Sequence, residues 1–167
     1  MEVHLPGTER EISTFFVTDE IFWRDNRLTG LRPSEIDRVK LRHAEDSFSI
    51  IRKGSDHFQI EEQQAGNFQV ESYLQSLQVV RVSYRDSIPP ESFSEKHFYA
   101  GIVIHTDKED RIAFTFYKIP VDPFTDEFGR KVSYDLNRLA LNMDGLEATV
   151  RYVDVDGLLK QRTHFLD

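Results

Sequence analysis

The strongest constraint on the fold is a pair of long alternating segments, "HFYAGIVIHT" and "DRIAFTFYKI", in the second half of the chain. Every second residue is apolar, which places Phe98, Ala100, Ile102 and Ile104, then Ile112, Phe114 and Phe116, on one side. Side chains of a strand point alternately to opposite faces, so this period predicts two strands with a buried face. The turn signal "DKED" between them predicts an antiparallel hairpin. Tyr99 and Val103 lie on the other side, so both faces are expected to be covered.

Alternation in the first half of the chain predicts a three-stranded meander, with strands at "IDRVKLRH", "SFSIIRK" and "HFQIEE" and a tight turn at Gly54. The next segment, "NFQVESYLQSLQ", predicts an amphipathic helix with Asn67 as its N-cap. The apolar stripe of that helix is Val70, Tyr73, Leu74 and Leu77. A strand is then predicted at "VVRVSYR", where Val80, Val82 and Tyr84 are spaced two apart.

The last third of the chain predicts a second helix over residues 135–143, because Leu136, Leu139, Ala140 and Met143 have helical spacing. Gly145 is expected to end this helix, and "ATVRYV" then predicts a strand. The tail "DVDGLLKQRTHFLD" is consistent with either a final strand or a short helix.

These elements predict an α+β fold, a mostly antiparallel sheet built from two units with helices packed on one face. Each unit is a meander or hairpin followed by a helix and a strand. The predicted divisions are an N-terminal arm over residues 1–35, a first unit over 36–90 and a second over 96–167, together forming one compact domain. The arm contains the only tryptophan, Trp23, which is expected to anchor it to the sheet. An aromatic platform for a ligand is the alternative role of Trp23.

Composition excludes several classes of function. A net charge of −8, with basic residues scattered among acidic ones, argues against nucleic-acid binding. The absence of cysteine excludes disulfides, a thiol nucleophile and a thiolate metal site. The start of the chain lacks the pattern of a signal peptide, and no apolar run is long enough for a membrane helix. As written, the chain is expected to be soluble.

No motif in the sequence predicts a catalytic residue, a cofactor or a metal site. The segment "GSDH" brings together serine, aspartate and histidine types, but neighbouring side chains in a turn point apart and do not form a triad. The six histidines lack the spacings that bring two imidazoles onto one metal. A hydrolase remains as an alternative only if remote residues converge, and Asp25, His57, His97 and His105 are its candidates.

Exposed aromatic residues are the best candidates for binding. The segment "PVDPFTDEFGRK" predicts a long loop that carries Phe124 and Phe128, and together with Tyr117 these residues form a candidate contact surface. The alternative is that both phenylalanines fold back over the hairpin.

Several segments carry a resemblance to a known family: "EVHLPG", "FVTDEIFWRDNRLTGLRPSEIDRVKLRHAEDSFSIIRKG", "VSYDLNRLALNM" and "VRYVDVDGLLK". Over nearly the whole chain, the sequence resembles the domain-of-unknown-function 4340 family, in the form found in envelope proteins of Gram-negative gut bacteria. The resemblance implies an N-terminal membrane anchor, a domain exposed outside the cytoplasm and, in some relatives, ABC-type transport components. The sequence begins at Met1 without the anchor, so either an anchor was removed ahead of Met1 or the native chain starts there.

The function expected from these observations is a non-enzymatic, periplasmic or envelope-anchored domain that binds a protein partner or a glycan, in association with an ABC-type transport system. Two alternatives stay open. One is the hydrolase assembled from remote residues, and the other is a structural spacer between an anchor and a further domain.

Overall fold

A computed structural model describes residues 28–55, 57–78, 80–82 and 88–166. Its main element is an eight-stranded sheet in the order β4-β3-β2-β1-β5-β6-β7-β8, and every neighbouring pair is antiparallel. The strands are β1 (Ile36–His43), β2 (Ser47–Arg52), β3 (Phe58–Ile60), β4 (Gln63–Gln64), β5 (Phe98–Thr106), β6 (Arg111–Thr125), β7 (Lys131–Met143) and β8 (Leu146–Arg151). Within these ranges the chain forms two α-helices, α1 (Asn67–Ser76) and α2 (Tyr152–Val155). The fold is therefore α+β and dominated by antiparallel sheet.

The sheet is continuous because β1 and β5, which are far apart in sequence, pair at its centre. Val39 lies opposite Ile104 and Leu41 opposite Ile102, and all four side chains are buried. On one side of this pair β1 to β4 follow one another, and on the other side β5 to β8 do the same. The strands predicted from alternation in "IDRVKLRH", "SFSIIRK", "HFQIEE" and the β5–β6 hairpin are confirmed in position.

The predicted helix over residues 135–143 is wrong, because these residues belong to β7. Leu139 and Leu141 alternate toward the core and pair with strands on both sides: Leu141 lies opposite Phe116 on β6 and Ala148 on β8. The backbone of β7 forms hydrogen bonds with β6 on one side and β8 on the other. These bonds outweigh the preference for helix, which is weak in a segment that contains Asn137 and Asn142. The spacing of the apolar residues fitted a helix only because it skipped Leu141, which is fully buried.

Helix α1 is confirmed, with Val70, Tyr73 and Leu74 buried. Its N-cap is Gly66 and not Asn67, which is the first helical residue. The N–H of Gly66 donates a 2.8 Å hydrogen bond to the carbonyl oxygen of Phe165, so the start of the helix is attached to the C-terminal tail. This hydrogen bond between Gly66 and the tail therefore holds the first turn of α1 in place.

The C-terminal tail forms short helical turns and no strand, which decides between the two sequence alternatives. Phe165 is fully buried and packs edge-on against Tyr73 at a ring separation of 5.2 Å. Arg162 pairs with Asp46 at 2.9 Å and with Glu61 at 2.7 Å. The tail therefore closes the core between α1 and the β1–β2 turn.

Within the described residues, one core cluster joins both α-helices and every strand except β4. It contains Val39, Leu41, Phe48, Ile50, Phe58, Ile60, Val70, Tyr73, Leu74, Ala100, Ile102, Ile104, Phe114, Phe116, Leu139, Leu141, Ala148, Val150, Val155, Leu158 and Phe165, with six further residues. Of the predicted strand at "VVRVSYR", the structure describes residues 80–82, where Arg81 makes an isolated bridge. The carbonyl oxygen of Val80 accepts a 2.7 Å hydrogen bond from Leu28. Tyr84 and the Trp23 anchor lie outside the described residues.

Replacing Tyr73 by phenylalanine is expected to leave stability unchanged or to raise it by about 1 kcal/mol. Within the described residues its buried hydroxyl has no hydrogen-bond partner, and an unsatisfied buried hydroxyl destabilises the folded state. Burial also raises the pKa of the phenol. Urea unfolding of the Tyr73→Phe variant measures the effect. A loss of more than about 1 kcal/mol would show that the hydroxyl is hydrogen-bonded in solution.

Candidate functional site

The β6–β7 hairpin extends beyond the rest of the sheet. β5 pairs with β6 only as far as Tyr117, and β8 pairs with β7 only as far as Arg138. Beyond these positions the two strands pair with each other as far as Thr125 and Lys131. We call residues 119–137 the β6–β7 arm. The loop predicted over residues 120–131 is therefore wrong, because most of it forms a two-stranded ribbon.

The tip of the arm is a three-residue hairpin loop, residues 127–129, closed by a 3.0 Å hydrogen bond from the N–H of Asp126 to the carbonyl oxygen of Arg130. The carboxylate of Asp126 holds this loop together. Oδ1 of Asp126 accepts hydrogen bonds from the backbone N–H groups of Phe128 at 2.9 Å and Arg130 at 2.8 Å. Oδ2 accepts from Nε of Arg130 at 2.7 Å. Gly129 has φ of 78°, which the left-handed position of this loop type requires. The hydrogen bond from the backbone of Arg130 is the main reason that the pKa of Asp126 lies below its usual value.

Two exposed aromatic side chains lie at the tip of the arm, Phe128 on this loop and Phe124 on the adjoining end of β6. Phe128 is 74% exposed and Phe124 is 49% exposed, so the alternative in which they fold back over the hairpin is wrong. The guanidinium of Arg130 lies 5.2 Å from the centre of the Phe128 ring, within the range of a cation–π contact. Leu136, assigned by sequence to a helix, is a third exposed apolar residue on the arm. It borders a hollow of about 290 Å³ that Val132 and Tyr134 also line.

Tyr117, the third predicted binding residue, does not join this surface. Its ring packs edge-on against Phe93 at 5.6 Å and Phe98 at 6.4 Å, and it is half-buried. Phe124 lies seven positions further along β6, a span on the order of 20 Å in an extended strand. Tyr117 therefore belongs to the packing at the base of the arm.

A second concave feature, which we call the sheet-end pocket, lies where the β1–β2 turn, the start of β5, Lys118 of β6 and the C-terminal tail meet. Its volume is about 520 Å³. The residues lining it are His43, Ala44, Glu45, Asp46, Phe98, Tyr99, Lys118, Leu159 and Gln161.

This pocket places a histidine and two carboxylates together, but structural contacts already engage the central groups. Nε2 of His43 lies 3.0 Å from the carbonyl oxygen of Lys160, which can only accept, so Nε2 carries a proton. Asp46 accepts hydrogen bonds from Arg162 at 2.9 and 3.3 Å, and these hold the pKa of Asp46 below its usual value. The hydroxyl of Tyr99 lies 2.9 Å from that of Tyr152, and burial raises the pKa of Tyr99, so the phenol stays protonated.

The histidines proposed for a hydrolase do not converge. His97 and His105 lie at opposite ends of β5, about 25 Å apart by strand length. His97 is buried with Nδ1 at 3.3 Å from the hydroxyl of Tyr134. His57 is exposed beside β3, and Asp25 lies outside the described residues. In the ranges that the structure describes, no three histidine or carboxylate side chains are grouped so as to hold a metal ion.

The sequence analysis does not identify Lys118 or the pocket around it, although the position of Lys118 in the alternating pattern of β6 points to it. Ile112, Phe114 and Phe116 point toward the core, and Lys118 is the next residue in that alternation. A lysine at an inward position is unusual enough to mark a site. The pocket itself cannot be predicted from sequence, because the C-terminal tail forms one of its walls. Arg162 of this tail contacts Asp46 of the β1–β2 turn, 116 residues away in sequence.

Comparisons of this chain with known proteins identified no relative. A scan against protein-family models, a search of curated proteins and a search of solved structures each found no match. The resemblance to the domain-of-unknown-function 4340 family therefore stays a prediction. In the part of the chain that the structure describes, no helix combines the length and apolar composition that crossing a membrane would take.

Proposed function

We propose that this domain is a non-catalytic binding module and that the β6–β7 arm carries its contact surface for a protein partner. The observation that carries the proposal is the tip of the arm, where Phe128 and Phe124 are 74% and 49% exposed on a ribbon that extends beyond the sheet. Aromatic residues are enriched at the centres of protein interfaces, and a few of them supply most of the binding energy.

The arm is also organised in advance for binding. Asp126 fixes the loop through three hydrogen bonds, and Arg130 lies against Phe128. A surface that is already ordered loses less entropy on association than a mobile loop does. The hollow beside Leu136 offers a place for an apolar side chain of the partner, and the outer edges of the ribbon offer backbone groups for strand addition.

The envelope location, the N-terminal anchor and the association with ABC-type transport components are part of this proposal and rest on the resemblance. In the envelope, the β6–β7 arm would be the element that contacts a neighbouring envelope protein. Binding of a glycan through the same rings and a purely structural spacer are the competing outcomes. The hydrolase alternative is disfavoured because two of its candidate residues, His97 and His105, lie at opposite ends of β5.

Site-specific cross-linking in intact cells tests the proposal. Phe128 is replaced by a photo-reactive benzoylphenylalanine in the native full-length protein, and Phe68, which is 81% exposed on α1, is replaced in a matched control. We expect position 128 to capture one reproducible envelope protein that position 68 does not capture. Mass spectrometry of the product and cell fractionation identify the partner and its location.

The affinity of the purified pair then measures the contribution of the arm. The double variant Phe124→Ser and Phe128→Ser is expected to weaken binding about 100-fold or more, since two interface aromatic residues are lost. Phe68→Ser should bind like the parent protein. Equal capture from both positions, unchanged affinity of the double variant, or binding to a glycan array that the double variant loses would each contradict a protein partner at the arm.

A further inference from the structure

The second site with unexplained chemistry is the sheet-end pocket, and its central feature is Lys118. β6 directs Ile112, Phe114 and Phe116 toward the core, and Lys118 continues this alternation at the end of the sheet. The side chain is half-buried, and its ammonium lies 5.7 Å from the centre of the Tyr99 ring and 5.4 Å from that of Tyr134. Two aromatic rings thus hold the charge at the pocket.

The ammonium of Lys118 has no counter-ion in the part of the chain that the structure describes. Its contacts are the two tyrosine rings, which attract a cation but accept few of its three N–H bonds. Partial burial of a charge without a partner is unfavourable. An anion bound in the pocket would offset the unfavourable free energy of this unpaired charge and accept hydrogen bonds from the N–H groups of Lys118.

The negative groups around the pocket do not fill this role. Asp46 is paired with Arg162 at 2.9 Å, and Arg162 also pairs with Glu61. Glu45 is exposed to solvent in the β1–β2 turn. Lys118 is therefore the half-buried charge of the lining that lacks a counter-ion among the described residues, whereas the carboxylate of Glu45 is exposed to solvent.

The rest of the lining defines the size and polarity of a ligand. A cavity of about 520 Å³ lies within the range that small organic molecules occupy. Phe98 and Tyr99 supply flat apolar surface, and Gln161 supplies hydrogen-bonding groups. His43 has its Nε2 proton bound to the tail, so neutral His43 keeps Nδ1 as an acceptor.

We propose that the sheet-end pocket binds a small organic carboxylate that carries a ring, with the carboxylate on the ammonium of Lys118 and the ring against Phe98 and Tyr99. This site is distinct from the tip of the arm and goes beyond the proposed function. An aromatic acid and a sugar acid share the required chemistry. The pocket would make the domain a sensor or carrier of such an acid in addition to a protein-binding module.

Titrations followed by ¹H–¹⁵N spectra test this assignment with benzoate and D-glucuronate, using benzyl alcohol and D-glucose as uncharged counterparts. At least one acid is expected to shift the amide signals of Ala44, Tyr99 and Leu159 more than its uncharged counterpart does. Lys118→Met keeps the apolar stem and should weaken binding about tenfold or more, because the charged hydrogen bond is lost. Lys108→Met, in the exposed β5–β6 turn, is the matched control and should bind like the parent protein.

Each outcome decides the proposal. Binding of benzoate identifies an aromatic acid and binding of glucuronate a sugar acid, and either result supports the site if it depends on Lys118. The proposal is overturned if neither acid shifts these signals more than its uncharged counterpart does, or if Lys118→Met binds as well as Lys108→Met. Because Phe124 and Phe128 are intact in every sample, failure here leaves the proposal for the arm untouched.

Discussion

Replacing Phe165 by alanine should lower the free energy of unfolding by about 3 to 5 kcal/mol, the usual cost of removing a fully buried phenylalanine. The ring is 0% exposed and contacts Phe48 and Tyr73, so its removal opens a cavity between the sheet and α1. The short turns of the tail have little stability of their own, and loss of the ring should release them. Chemical denaturation monitored by circular dichroism measures the effect.

Phe68→Ala is the control for this variant, because it removes the same side chain from a position that is 81% exposed. Its expected effect is within about 0.5 kcal/mol. If Phe165→Ala unfolds at the same denaturant concentration as Phe68→Ala, the tail does not close the core in solution.

Leu141→Ala should cost about 2 to 5 kcal/mol, whereas Leu136→Ala should change stability by less than about 0.5 kcal/mol. Leu141 is 0% exposed near the end of β7, opposite Phe116 and Ala148. Leu136 is 59% exposed on the arm. The helix predicted from sequence reverses this order, because its buried stripe includes Leu136 and omits Leu141. Thermal unfolding of the two variants therefore distinguishes a strand from a helix over residues 131–143.

The contrast between these two leucines shows what the sequence could predict. The strands with strict alternation, such as β1, β5 and the first part of β6, are predictable because every second residue is apolar and this period fits a strand alone. In β7, Leu139, Ala140 and Leu141 are all buried, so the alternation is lost where both faces are covered. A helical spacing then fits by coincidence, and only the pairing of β7 with β6 and β8 excludes it.

The two candidate sites were predictable to different degrees. The sequence predicts a candidate contact surface at Phe124 and Phe128 because a loop-like segment carries both rings, and the prolines at positions 120 and 123 favour a loop over a strand there. Proline is compatible with a strand whose edge is unpaired, and that is the situation along the arm. The sheet-end pocket was not predictable, since its walls come from four segments that only the folded chain brings together. That two repeated units with helices on one face underlie the sheet stays a prediction.

The pairing of Asp46 with Arg162 across 116 residues has a consequence for synthesis in the cell. A ribosome synthesises β1 to β4 and α1 before β5, whose Ile102 pairs with Leu41, and well before Phe165, which packs against Phe48 and Tyr73. During that interval the nascent chain displays apolar strands whose partners have not yet been translated, a state that favours aggregation. Completion of this core is therefore a late event, and newly made chains should depend on chaperones until residue 165 has left the ribosome.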